Sequence, residues 1–193
     1  MAKHAQQIEK GRLILMAVAA LALVGIIIVT AVAIVSNRKA EIRSASAFID
    51  SIYSFQDIDV PEDAKPVTAV QKCLDVTGDT LAYAVTAYGE GFADRVSVRC
   101  FFDLDKKTLI GIEIDEHNES KGSGDKVATS MYTQRFEFKR MPLWFNDLSV
   151  AEEELPKQKG SRVDTISGAT TSCGAVVEAV NAAYSYFVDA RLK

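Results

Sequence analysis

Between Asp164 and Ser172 the chain reads Asp-Thr-Ile-Ser-Gly-Ala-Thr-Thr-Ser, with hydroxyl side chains on both sides of a Gly-Ala step. Gly168 and Ala169 carry no bulk that would hold a ligand away from the backbone. A helical pattern starts directly after them. The first turn of a helix presents N–H groups without intrahelical acceptors and the positive end of its dipole, both suited to an anion. The chemistry these residues allow is therefore hydrogen bonding to an anion such as a phosphate. On the residues alone two readings stand: an anion-binding helix start, or a helix capped after a turn by Thr171 or Ser172.

Two other polar, glycine-containing stretches follow strand-like runs. One is Gly89-Glu-Gly91-Phe92, the other His117-Asn-Glu119-Ser120-Lys-Gly122-Ser-Gly124. His117 taken alone is more often a satisfied surface or core residue than part of a site. Elsewhere the chemistry is thin. Three cysteines, Cys73, Cys100 and Cys173, show no CxxC spacing, which argues against iron–sulfur and zinc sites. Cys73 and Cys100 lie in apolar, strand-like stretches, as buried thiols or as a pair in an oxidising compartment. No GxGxxG or GxxxxGK[ST] fingerprint occurs. A net charge of −4 without a basic stripe excludes nucleic acid as the main partner.

A small α+β domain is expected to hold these loops. Leu81–Tyr88 alternates like a half-buried strand; Arg95–Asp103 and Thr108–Asp115 follow, joined around Asp105-Lys106-Lys107, as an antiparallel meander. Lys126 to about Phe138 reads as helical and Leu148–Val150 as a short strand. In the last helix Val176, Val177, Val180, Tyr184, Phe187 and Val188 recur at helical spacing and form a stripe for the sheet. Arg191 and Lys193 fall near its C-terminus, where the dipole favours positive charge.

The N-terminal part is of another kind. Leu13–Val35 is apolar and uncharged throughout. At about 1.5 Å per residue, a helix of that length crosses the roughly 30 Å hydrocarbon core of a bilayer. It is too long for a signal-peptide core and runs into Ser36-Asn37-Arg38-Lys39 rather than a cleavage site, so it reads as a retained anchor. The organisation expected is a tail over 1–12, a transmembrane helix over 13–35, a connector over 36–66 and the domain over 67–193. Within the connector, Ala45, Phe48, Ile49, Ile52 and Tyr53 give a partial helical face as far as about Phe55. Pro61 and Pro66 then force Asp57–Pro66 into extended or looped backbone. Lys3, Lys10 and Arg12 balance Arg38, Lys39 and Arg43, so charge alone does not orient the span. No acidic residue lies within it, which argues against an ion channel in this chain.

Asp164, Ser167, Gly168, Ala169 and Thr170 fill, without mismatch, the pattern Asp-x-x-Ser/Thr-Gly-Ala-Ser/Thr, and the chain thereby resembles the FMN-binding domain family. In that family a dedicated flavin transferase joins the phosphate of FMN to the final hydroxyl. The resemblance implies a covalent FMN in phosphoester linkage to Thr170, with Asp164 recognised by the transferase and Ser167, Gly168, Ala169 and Thr171 around the cofactor. Thr171 and Ser172 remain alternatives for the attachment. Gly91 and Phe92 are similar to the family's glycine-aromatic turn beside the flavin. His117, Glu119, Ser120 and Gly124 are similar to its His-x-Glu-Thr-Pro-Gly-x-Gly loop, although Ser120 replaces Thr and Lys121 replaces Pro.

The order of span, meander, glycine-rich loop and helix most resembles the G subunits of Rnf complexes, and in plan the C subunits of Na+-pumping NADH:quinone oxidoreductases. The resemblance implies an electron relay in a redox-driven ion translocase, a ferredoxin:NAD+ oxidoreductase, without a substrate site of its own. Its partners are then other membrane and iron–sulfur subunits, and its place the bacterial inner (cell) membrane, single-pass, with the flavin domain outside the cytoplasm. A stand-alone membrane-tethered flavoprotein is one alternative. A tethered scaffold without flavin is another, and only the motif speaks against it.

Overall fold

The computed structural model describes residues 44–145 and 160–189. The expected span Leu13–Val35, the expected strand Leu148–Val150, and Arg191 and Lys193 lie outside the described residues. Among the described residues no helix is long and apolar enough to cross a membrane.

Six strands form one antiparallel sheet in chain order: β1 (Ser54–Ile58), β2 (Val67–Leu74), β3 (Thr80–Glu90), β4 (Arg95–Asp103), β5 (Thr108–Glu116) and β6 (Lys139–Arg140). The meander expected from alternation is present and extends by a strand or more at each edge. Across the β3–β4 pair, Tyr83, Val85 and Ala87 stand opposite Phe102, Cys100 and Val98, all within the buried core. Short polar turns set the register. At the β4–β5 turn the Asp105 carboxylate accepts from the N–H groups of Lys107 (2.8 Å) and Thr108 (2.9 Å), which holds the chain where Lys106 turns through a positive φ.

Helix α3 (Thr170–Asp189) lies across β3 and β4. Val176, Val177, Val180 and Phe187 are buried and Tyr184 is partly buried, as the stripe requires. Val188 departs from it and is 42% exposed, because Ala183 and Phe187 already complete the buried face. The Phe187 ring sits 5.1 Å from Phe102 and 5.5 Å from Tyr83. Full burial of such a side chain contributes about 1.5–3 kcal/mol. At its N-terminal end the helix passes so near β3 that a Cβ on Gly89 would collide with the Ala175 carbonyl. The Gly89 position thus sets how closely helix and sheet approach.

Three expectations change. The connector helix is short: α1 (Ala45–Asp50) is capped by Ser44, whose Oγ accepts from Ala47 N–H, and ends before the chain enters β1. Ala45 and Phe48 of α1 are buried, and β1 pairs with β2 from Ser54 to Ile58, so the described part of the 36–66 segment packs with the sheet. The stretch from Lys126 to Phe138 is not one helix. It is a 3-10 turn (Gly124–Ala128), the short helix α2 (Ser130–Thr133) and a second 3-10 turn (Gln134–Phe136). Extended Thr129 breaks it, its hydroxyl donating to the Lys126 carbonyl at 2.7 Å in place of helical continuation. Finally, β7 (Leu143–Phe145) and β8 (Ser161–Val163) form a small parallel pair with no clear period in the sequence.

Candidate functional site

Three loops meet at one end of the sheet. The β3–β4 turn carries Gly91 and Phe92, the segment leaving β5 carries His117 to Gly124, and Asp164 to Ala169 leads into α3. The turn closes with Gly91 N–H donating to the Asp94 carbonyl at 2.9 Å. Gly168 adopts φ +77°, a left-handed conformation with open space around it, so backbone rather than packing calls for glycine. A turn from Ile166 to Ala169 (3.0 Å) follows, and the first helical bond runs from Cys173 N–H to the Ala169 carbonyl at 2.9 Å.

The helix therefore starts at Thr170, earlier than a Thr171 or Ser172 cap implies, and these three hydroxyls lie in its first turn. Their fates differ. Thr170 and Thr171 are exposed, whereas Ser172 is 2% exposed and donates its hydroxyl to Glu119 Oε2.

A cleft of about 190 Å³ opens here, lined by Phe92, Glu119, Ser120, Ser123, Gly124 and residues 168–172. Glu119, Ser120, Gly124, Phe92, Gly168, Ala169, Thr170 and Thr171 are thus brought together. The other sequence candidates stand behind the wall or outside it. His117 Nδ1 accepts from Glu119 N–H at 3.3 Å, and Gly91 lies against the Glu119 carboxylate. Ser167 is exposed in the turn before the helix. Asp164 points outward, its side chain 69% exposed and 3.3 Å from Arg162 Nε.

Arg135 holds the approach to the helix. Its Nη1 donates to the carbonyls of Asp164 (2.9 Å) and Thr165 (3.1 Å), and its guanidinium lies over the Tyr132 ring. The Tyr132 hydroxyl donates to the Cys173 carbonyl.

A second cleft, about 580 Å³, shares Thr170 and Thr171 with the first. Its other walls are Leu143, Trp144, Phe145, Gly174, Ala175, Val177 and Asn181, with Glu90 and Glu178 at its edge. Asn181 fixes the aromatic wall: Oδ1 accepts from Leu143 N–H and Nδ2 donates to the Leu143 carbonyl, both at 2.8 Å. Sequence reasoning missed this second cleft. The signal available was the chain's single Trp, beside a Phe, in an otherwise unassigned stretch.

The smaller cleft falls below the roughly 300–1,000 Å³ of pockets that enclose a drug-sized ligand. It suits one end of such a ligand, the polar end, with hydroxyls and helix amides at hand. The larger, aromatic-walled cleft suits a flat apolar ring. Trp144 Nε1 is buried and has no partner, one donor left over beside that wall. Two clefts of this character meeting at exposed threonines fit a flavin mononucleotide.

The three cysteines are free thiols, all buried. Burial pushes the Cys73 thiol up to about 12, outweighing a backbone hydrogen bond from Ala84 and the charge of Arg99, and raises Cys100 as well. Among the described residues no group of His, Cys, Asp and Glu is arranged to hold a metal.

Comparison with known proteins agrees with this geometry. The FMN-binding domain family matches residues 91–185. The G subunit of the ion-translocating oxidoreductase complex of Methanosarcina acetivorans is 31% identical over 128 residues, 66% of this chain and 63% of that protein. The match thus spans less than two thirds of the relative's length. The fold is shared with the C subunit of the Na(+)-translocating NADH-quinone reductase of Parabacteroides distasonis, at TM-score 0.54 and 18% identity over 74% of this chain and 79% of that one. It is shared too with NqrC of Shewanella oneidensis, at TM-score 0.50 and 21% identity over 72% and 71% of the two chains. Residues 91–185 thus match the FMN-binding domain family, and the joined clefts have the chemistry that this match calls for.

Proposed function

We propose that this chain is the electron-relay subunit of a membrane-bound, ion-translocating oxidoreductase of the Rnf type, carrying one FMN covalently on Thr170. The observation that supports it best is an exposed Thr170 hydroxyl, at the end of an unbroken Asp164–Thr170 motif, where a polar and an aromatic cleft meet. Attachment is a phosphoryl-centred substitution. Thr170 Oγ would bond to the flavin-side phosphorus of a pyrophosphate-linked flavin donor as the P–O–P bridge breaks, the leaving phosphate keeping the bridging oxygen. The hydroxyl proton is released to solvent by way of the flavin transferase.

FMN supplies one- and two-electron transfer. This chain's residues would hold it: first-turn amides of α3 and the hydroxyls of Ser120, Ser123 and Thr171 would serve the phosphate end, and Leu143, Trp144, Phe145 and Val177 would offer a surface for the ring. Ser172 is disfavoured as the attachment residue because its hydroxyl is buried and already donated. The run Leu13–Val35 is read as the anchor, with the flavin domain outside the cytoplasm. Electrons then pass between neighbouring membrane and iron–sulfur subunits, and the coupled reaction is ferredoxin oxidation with NAD+ reduction.

The test is mass spectrometry of the chain produced with its flavin transferase, with peptide mapping. The expected outcome is one FMN increment on Thr170 that Thr170→Ala abolishes; an unchanged increment in the variant moves the linkage to Thr171. In membranes the same variant should lose ferredoxin-dependent NAD+ reduction while the complex still assembles. A normal rate there takes the flavin off the electron path.

A further inference from the structure

Glu119 is a carboxylate at the wall of a cleft expected to hold a phosphate, which on charge alone is the wrong group. It is 6% exposed, and its oxygens are occupied. Oε1 accepts from Ala93 N–H at 3.2 Å, and Oε2 accepts from the Ser172 hydroxyl. Burial pushes this carboxyl up, but the Ser172 hydroxyl and the N–H groups of Ala93, Asp94 and Phe92 outweigh it, so it is held below the ordinary range. The two flanking glycines are shaped around it. A Cβ on Gly91 would strike Oε1, and one on Gly124 would lie 2.8 Å from Oε2 and 2.9 Å from Ser172 Oγ. One side chain thus ties the β3–β4 turn, the loop leaving β5 and the first turn of α3 together.

We propose that Glu119 is a positioning residue that decides which hydroxyl of the first helical turn receives the flavin. Successive helical side chains are separated by about 100°. With Ser172 drawn inward to Glu119, the rotation of the turn about its axis is set, and Thr170 is left facing the junction of the two clefts. The same bond removes the Ser172 hydroxyl from competition. Glu119 makes no contact with the phosphorus in this scheme; its charge is spent on protein donors. The inference rests on the proposed attachment at Thr170.

A glutamine is the informative replacement. Its shape is that of glutamate, but one oxygen becomes an NH2 donor. With the amide oxygen kept on Ala93 N–H, the NH2 group can only donate to Ser172 Oγ, so the charge-assisted bond is lost, its direction reverses and the serine proton is freed.

The experiment loads the wild-type chain, Glu119→Gln, Ser172→Ala and the double variant with FMN by the flavin transferase, following rate and attachment residue by peptide mass spectrometry. Circular dichroism and thermal melts establish that each is folded. The wild type should load on Thr170 alone. Glu119→Gln should load at least about tenfold more slowly, a modest loss for a misplaced reacting group, and should acquire flavin on Thr171 or Ser172. Ser172→Ala should be slowed with Thr171 as the only misplaced product, and the double variant should lose any Ser172 product.

Folded Glu119→Gln and Ser172→Ala that both load Thr170 alone at the wild-type rate overturn the proposal. If Glu119→Gln fails to fold, Ser172→Ala loading at the wild-type rate and site overturns it equally. Absence of flavin from the wild-type chain is a separate failure: it overturns the functional reading, and the positioning role with it.

Discussion

Thr170 and Ser172 lie within one helical turn, yet one hydroxyl is open and the other is buried against a carboxylate. For the proposed attachment that contrast sets Ser172 apart from Thr170 and Thr171, where the chemistry of a hydroxyl alone would not. The Glu119 carboxylate also gives the domain a pH signature. A carboxyl held below its unfolded value of about 4.3 stabilises the fold in full above that pH, and its contribution is lost as pH falls through the lower folded value. The melting temperature of Glu119→Gln should therefore lie below that of the wild type at pH 7, with the gap closing below about pH 4. A gap that stays constant across the series would mean that the carboxylate's charge contributes nothing. The thiols are the other residue-scale case. Cys73, pushed up to about 12, and the buried Cys100 and Cys173 should resist an alkylating reagent in the native protein and react only on unfolding. Thiol titration with and without denaturant measures this.

At the scale of elements, the central strands and the last helix are legible in the sequence because each has one buried face and a long, regular period. β1 is not: Phe55, Gln56 and Asp57 are all exposed at the sheet edge, so no alternation marks it. The segment after Gly124 carries no Gly or Pro as far as Phe138 and so reads as a helix, yet Val127, Tyr132 and Phe136 are buried from three short turns. Two contacts between elements carry predictions. Gly89→Ala places a methyl against the Ala175 carbonyl, where backbone must move, and should cost about 1–3 kcal/mol in urea unfolding. Asn181→Leu removes both bonds to Leu143 and leaves its N–H and carbonyl without these partners, a loss of about 1–3 kcal/mol. If Asn181→Leu unfolds like the wild type, β7 is held by its pairing with β8 and not by the helix.

At the scale of the whole molecule the prediction is topological. On the proposed topology a cysteine placed at exposed Lys121 should be labelled by an impermeant thiol reagent in intact cells. Labelling only after lysis would place the domain inside. The chain's own sequence determined the class of domain, the meander, the last helix and the Asp164–Thr170 motif. Each of these is written in contiguous residues, either as a period along one buried face or as a local pattern that needs no distant partner. Only the tertiary structure decided which candidates share a site. It left His117 and Gly91 off the cleft lining, turned Ser172 inward, and joined the Trp144–Phe145 wall to Thr170. Most of these contacts join residues far apart along the chain, brought together by burying α3 against the sheet, and no period in the sequence encodes them.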